Sequence, residues 1–275
     1  MSIRDVLLPL VGESSRTTMT AIEKCVALAR GLDVHVTALA IETEDNPVPT
    51  AADVLGSADI VQTAPTARAL LAAFATAAKK HSLRNEQRIE RMLRASALDA
   101  VALQARLNDL SIALVKSADS FSEKLVERLL FETGHPVLMC PEEIADSLDT
   151  SFNDVAIAWD HTAPAARAIG DALPLLRHAS RLRILTATDQ ASGAQLASGA
   201  AMERHLAEHG LTAAFEIVEV AGSSIGKVFT EYVQDNAIDL LVMGGFGHSR
   251  RSEHFWGGVT TTVINQPPSW VMLSH

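Results

Sequence analysis

Short apolar runs recur along the chain, each followed by a stretch in which apolar residues return at helical spacing. Over the second half this alternation is regular and predicts strands at 154–160, 182–187, 213–220, 239–244 and 270–274. The stretches between them, 162–178, 192–209, 224–236 and 256–266, read as helices, each with apolar positions three and four residues apart. After Asp239, residues Leu240 to Met243 are apolar without interruption, as in a strand covered on both faces. Strands that alternate with helices in this way imply right-handed crossovers and a parallel sheet with helices on both sides, an α/β doubly wound architecture.

The first half repeats the plan less clearly. Asp5 to Val11 is the same kind of segment as Asp154 to Asp160, an apolar run that ends in a turn before a helix. Asn108 to Val115 corresponds to Ile238 to Gly244, and Gly134 to Met139 corresponds to Pro268 to Leu273, a terminal strand introduced by proline. These three matches make the chain a tandem repeat of two domains, residues 1–145 and 150–275. The join falls near Pro141 to Asn153, where Glu142, Glu143, Asp146, Ser147, Asp149, Thr150 and Ser151 read as a polar linker. Residues 43–66 read as an irregular loop, and the helix-rich run 67–107 shows no third strand. Within it, Arg84 to Arg94, with Glu86 and Glu90 among its arginines, reads as a solvated helix face.

Composition narrows the function. The 275 residues are 48% apolar but only 4% aromatic, which suits a core of Ala, Leu, Val and Ile between helices and a buried sheet. A net charge of −10 with no strongly basic stretch argues against nucleic acid as a partner. Arg4 and Asp5 precede a short apolar run from Val6 to Val11, so neither a signal peptide nor a membrane span is expected. Cys25 and Cys140 form neither a metal-ligand spacing nor a disulfide framework, and a cytoplasmic setting fits them.

The chemistry is expected just after strand 239–244, because open parallel sheets bind ligands outside the carboxyl ends of their strands. There the chain reads Gly244-Gly245-Phe246-Gly247 and continues through Ser249, Arg250, Arg251 and Glu253 to Gly257-Gly258-Val259-Thr260 and a helix. Glycines permit close backbone approach and leave amides free to converge on an anion, and a helix start adds unpaired N–H groups.

The spacing Gly-x2-Gly-x9-Gly from Gly244 through Gly247 to Gly257 resembles the ATP-binding signature of the universal stress protein family. Asp160 also sits where that family keeps an aspartate, and the resemblance extends over both halves. It implies that Asp160 borders the adenine, with Ala158 and Trp159 beside it and Thr188 near the nucleoside. Met243 and Gly244 would pass under the ribose, while Gly247, Gly257, Gly258 and Val259 would present amides to the phosphates. The family places Ser or Thr after its last glycine, where this chain has Gly258; Thr260 and Ser249 are the nearby hydroxyl donors. Arg250 is a candidate counter-charge for the phosphates.

The first half departs further. Val11 occupies the position that matches Asp160, and Lys116 to Glu123 contains no glycine, while Asp119 and Glu123 would repel a phosphate. A nucleotide site is therefore expected in the second half alone. The resemblance also implies an internal pseudo-dimer, paired through strands 136–140 and 270–274, with a homodimer as a further option.

Other motifs have plainer readings. Gly222 to Val228 is one residue short of a P-loop and lacks its Ser/Thr, so Ser223 or Ser224 is expected to cap a helix. His205 and His209 match a zinc-protease spelling but end a helix before Gly210, where histidines favour the negative dipole end. Phe255 and Trp256 are expected as core anchors at the helix start, and His248 and His254 as solvated loop residues, with contact to the phosphates the lesser option. The expected ligand is ATP, with or without Mg2+, in a stress-response or signalling role with at most slow hydrolysis and an unidentified protein partner. The alternative is a nucleotide-free interaction scaffold built from the same two domains.

Overall fold

The computed structural model describes residues 2–44, 65–147, 149–245 and 258–275. In the first half β1 (Asp5–Leu10), α1 (Arg16–Gly31), β2 (His35–Glu44), α2 (Pro65–Lys80) and β3 (Asn85–Leu93) alternate in order. They are followed by α3 (Ala97–Ala105), β4 (Leu110–Val115), α4 (Ser120–Glu132) and β5 (Val137–Pro141). The second half repeats the order with β6 (Asp154–Ala158), α5 (Ala163–Leu176), β7 (Arg181–Ala187), α6 (Gly193–Glu208) and β8 (Ala214–Val218). It ends with α7 (Ile225–Asp235), β9 (Leu240–Gly244), α8 (Gly258–Asn265) and β10 (Trp270–Ser274).

All strands join one sheet in the order β3-β2-β1-β4-β5-β10-β9-β6-β7-β8. The pairings within each half are parallel, and the halves meet antiparallel at β5 and β10, with Val271, Met272 and Leu273 opposite Met139, Leu138 and Val137. Such a sheet is covered on both faces, and alternate residues of one strand serve different cores. Trp270 and Met272 belong to one apolar layer while Val271 and Leu273 belong to the other. Each layer takes residues from both halves, so the join is core rather than hinge. The linker shares in this: Ala145 and Phe152 are buried, and only part of the segment is the solvated turn its composition suggested.

Helix starts follow local chemistry. Ser15, Thr162, Ser192 and Ser224 cap α1, α5, α6 and α7 by accepting from the amides of Thr18, Ala165, Gln195 and Lys227. Ser224 thus explains the glycine-serine stretch before Lys227 as a helix cap. His209 ends α6 as expected, its ring edge-on to His205 at 4.9 Å.

The first half corrects two expectations. The run 67–107 does contain a third strand: β3 pairs in parallel with β2 from Asn85 against Val36 to Leu93 against Glu44. The segment Arg84 to Arg94 is therefore mainly strand, not a helix face. It lies at the sheet edge and is mostly exposed, so it carries charge on both faces and lacks the apolar alternation that identifies a half-buried strand. One ion pair ties it to β2. Arg91 bonds the buried Glu42 of β2 at 2.5 Å, and Arg88 bonds Glu86 at 2.8 Å and Gln104 of α3 at 3.1 Å. The expected loop 43–66 is also shorter than its pattern suggested, because β2 runs to Glu44 and α2 begins at Pro65; residues 45–64 lie outside the described residues.

Candidate functional site

The turn after β6 builds one wall of a pocket. The amide of Trp159 donates to the Leu185 carbonyl of β7 at 2.8 Å, and its indole N–H donates to Ser198 Oγ of α6 at 3.0 Å. Buried Thr186 closes the corner by donating to the Trp159 carbonyl at 2.8 Å. The chain reverses through His161, which holds φ at +67° and stacks on the Trp159 ring at 5.5 Å. This reversal returns the Asp160 carboxylate to Thr162, whose amide and hydroxyl donate to Asp160 Oδ1 at 3.0 and 2.7 Å. Since Thr162 also caps α5, the carboxylate is oriented by the start of that helix.

The opposite wall comes from the end of β9 and the start of α8. Gly244 packs so tightly on the first turn of α5 that an added Cβ would lie 2.5 Å from the Ala165 amide nitrogen. Its glycine is required by close approach. Gly245 is held from both sides: its amide donates to the Ser274 carbonyl at 2.8 Å, and His275 Nδ1 bonds its carbonyl at 2.9 Å. Phe131 of α4 meets the His275 ring edge-on at 4.9 Å, so the first half braces the root of the glycine loop.

The cavity between these walls has a volume of about 240 Å3. It brings together Ala158, Trp159, Asp160, Met243, Gly244, Gly258, Val259 and Thr260, all expected there. Thr188 is not in its lining; it is held in the β7–α6 connection by its amide bond to Val218 O and its hydroxyl bond to Gln190 O. Gly247, Ser249, Arg250 and Gly257 lie outside the described residues, as do Phe246, His248, Arg251, Glu253, His254, Phe255 and Trp256. The pattern reading missed Ala165, Thr186, Ala187, Gln195, Ile225 and Phe229 in the lining. Two signals were available: Ile225 and Phe229 share a face of α7, and Ser192 with Gln195 spells the capping box that starts α6, placing Gln195 in its first turn.

A second crevice, of about 510 Å3, lies at the equivalent place in the first half, outside β1, β2 and β4. Its lining includes Glu142, only 5% exposed, which accepts from Thr18 Oγ1 at 2.6 Å. Burial pushes the Glu142 carboxyl above its usual 4.5, opposed by the hydrogen bond from Thr18 and the charge of Lys116, with Glu143 adding to the rise. A folded-state value above the unfolded one means the ionised group costs stability as pH rises through that window, a cost absent below 4.5. Glu142→Gln, which keeps an oxygen for Thr18, is therefore expected to raise the unfolding temperature at pH 7, with the gain shrinking toward pH 4. Thermal unfolding at both pH values checks it, and an equal or lower unfolding temperature at pH 7 contradicts it.

The family model described as the universal stress protein family matches residues 151–275. No curated protein matches the sequence. A universal stress protein from Archaeoglobus fulgidus DSM 4304 is 16% identical, with 98% of this chain and 97% of that one covered and a TM-score of 0.70. A protein of unknown function from Pseudomonas aeruginosa PAO1 is 14% identical, with 99% and 92% covered and a TM-score of 0.61. Residues 151–275 are thus a universal stress protein domain, within a chain whose ten-stranded fold matches that of a universal stress protein along nearly its whole length.

Proposed function

We propose that the chain is a tandem universal stress protein that binds ATP or another adenine nucleotide in residues 150–275, while residues 1–145 form a partner domain without a nucleotide site. The observation that carries this reading is the convergence of Asp160, Gly244 and the start of α8 on one cavity at the carboxyl ends of β6, β7 and β9. Its volume of about 240 Å3 suits a base and ribose, being just below the roughly 300–1,000 Å3 usual for whole ligands. The phosphates would then extend toward the loop from Gly247 to Gly257, with Arg250 and Ser249 as candidate partners and Mg2+ an optional companion. Stress-response signalling, rather than efficient turnover, is the role such a site supports.

The first half lacks the same opportunity. Every amide from Lys116 to Asp119 is already bonded: to Ser122 Oγ, Glu143 Oε1, the Asn265 carbonyl and the Lys116 carbonyl. At the start of α4 the Asp119 carboxylate accepts the Ser122 amide and hydroxyl, both at 2.8 Å. A phosphate would have to displace the protein's own carboxylates.

Titration calorimetry with ATP tests the proposal, with Asp160→Ala as the control; no heat from the intact chain favours the scaffold reading. Gly258 gives a second handle. Nothing lies within 4 Å of the position its Cβ would occupy, so Gly258→Ser adds a hydroxyl at the start of α8 without a clash. A hydroxyl bonded to a charged phosphate contributes about 1.5–3 kcal/mol, so ATP should bind roughly 10–150-fold tighter. Unchanged affinity would place the phosphates elsewhere.

A further inference from the structure

We propose that Cys25 of α1 and Cys140 of β5, far apart in sequence, form a latent disulfide site at which a hydroperoxide locks the helix to the strand. The inference is independent of the nucleotide reading. These are the chain's two cysteines, and both are free thiols buried in the same apolar layer, at 1% and 0% exposed. Cys25 follows Thr18, Ala21 and Ile22 along the buried side of α1, which packs against β5. The Cys140 thiol donates weakly to the Ala21 carbonyl, one helical turn before Cys25, across 4.0 Å. It is also hydrogen-bonded to the Cys25 thiol. Sulfurs already in contact can close a bond by side-chain rotation, whereas cysteines held apart would need the backbone to move.

Filling space does not account for the pair. Alanine fills the small positions of this layer at Ala21, Ala29, Ala38 and Ala40, and a thiol packs as little more than a small apolar group. Access comes from the crevice of the first half: Leu114, opposite Cys140 in the β4–β5 register, lines it, as does Glu142 just beyond β5. Burial pushes the Cys140 thiol well above its usual value, and Cys25 and the charge of Glu142 push it further. Since the thiolate is the nucleophile, the pair answers sustained oxidant rather than a brief pulse. In the reaction one thiolate takes the terminal oxygen of the hydroperoxide, becoming a sulfenic acid and releasing an alcohol, or water from hydrogen peroxide. The second thiol then attacks that sulfur and expels water. Two thiols and one hydroperoxide thus give one disulfide, one alcohol and one water, the sulfur pair losing the two electrons that break the O–O bond.

The test treats the full chain, purified in dithiothreitol and then freed of it, with hydrogen peroxide while it is folded. Its intact mass should fall by about 2 Da, the two thiol hydrogens lost when the disulfide forms. Digestion without reductant should join the peptide carrying Cys25 to the one carrying Cys140. The unfolding temperature should rise by roughly 5–15 °C, as for a crosslink that closes a long loop in a chain of this size, and dithiothreitol should reverse the rise. In Cys25→Ala the rise should vanish; should that variant not fold, Cys140→Ala reads the same loss, and the joined peptides of the natural chain need neither. The proposal is overturned if both cysteines stay free in the folded chain, if they oxidise separately to sulfinic acids, if they link only between chains, or if the linked chain unfolds at no higher temperature.

Discussion

Gly244→Ala is expected to lower the unfolding temperature by about 3–10 °C and to remove nucleotide binding, the magnitude following from an overpacking cost of about 1–3 kcal/mol in a domain of this size. The added Cβ would lie 2.5 Å from Ala165 N, 2.7 Å from Pro164 C and 3.0 Å from Ala165 Cα. All three are backbone atoms of the first turn of α5, so no side chain can rotate aside. The helix start has to shift, and Thr162, which caps it, carries Asp160 along. The neighbouring glycine supplies the contrast. At Gly245 the nearest atom to an added Cβ is Leu130 Cδ2 at 2.5 Å, the far end of a flexible side chain. Gly245→Ala should therefore cost less than Gly244→Ala. Thermal unfolding with ATP calorimetry on both variants checks the pair; equal costs, or intact binding in Gly244→Ala, would show that β9 does not set the position of Asp160 through α5.

The second half was legible because its most buried strands are runs of apolar residues and α5, α6 and α7 each begin at a Ser or Thr with a cap to make. Leu240 to Met243 is the clearest case: a strand buried on both faces has no other way to be written. The same rule conceals β3. An edge strand has only one bonded neighbour, and Glu86, Arg88, Glu90 and Arg91 serve it by keeping the free edge charged, so the four-residue step from Glu86 to Glu90 and the three-residue step from Arg88 to Arg91 imitate an exposed helix. Its identity lies in long-range partners, Glu42 above all, which no local window contains.

The site divides in the same manner. Gly244 and Asp160 were readable because glycines and a carboxylate at strand ends carry chemistry in their spelling. Ala187, Phe229 and Ala165 were not, because an apolar wall looks like any other core. Thr188 shows the limit of a position inferred one residue beyond a strand: Ala187 ends β7 inside the pocket, and the next residue already belongs to the turn. The linker fails differently. Its Glu142 was counted among solvated polar residues, yet chain reversal after β5 buries it against Thr18, a contact across more than a hundred residues.

Trp270→Ala should be the most damaging single change, at about 3–5 kcal/mol for loss of a large aromatic from a core. Trp270 is fully buried at the start of β10, stands edge-on to Phe152 of the linker with ring centroids 6.0 Å apart, and donates its indole N–H to the Asp149 carbonyl at 2.9 Å. Alanine would leave a cavity and an unpaired carbonyl together. The location amplifies the loss, because β10 is the strand that joins β9 to β5, and without it the ten-stranded sheet divides in two. Both apolar layers run through this seam, so the halves are expected to unfold together, in one transition whose midpoint falls by about 10 °C. Differential scanning calorimetry of the variant decides the matter. Two resolved transitions, with only the later-strand half weakened, would mean that each half holds its own core and that the shared layers contribute little to cooperativity.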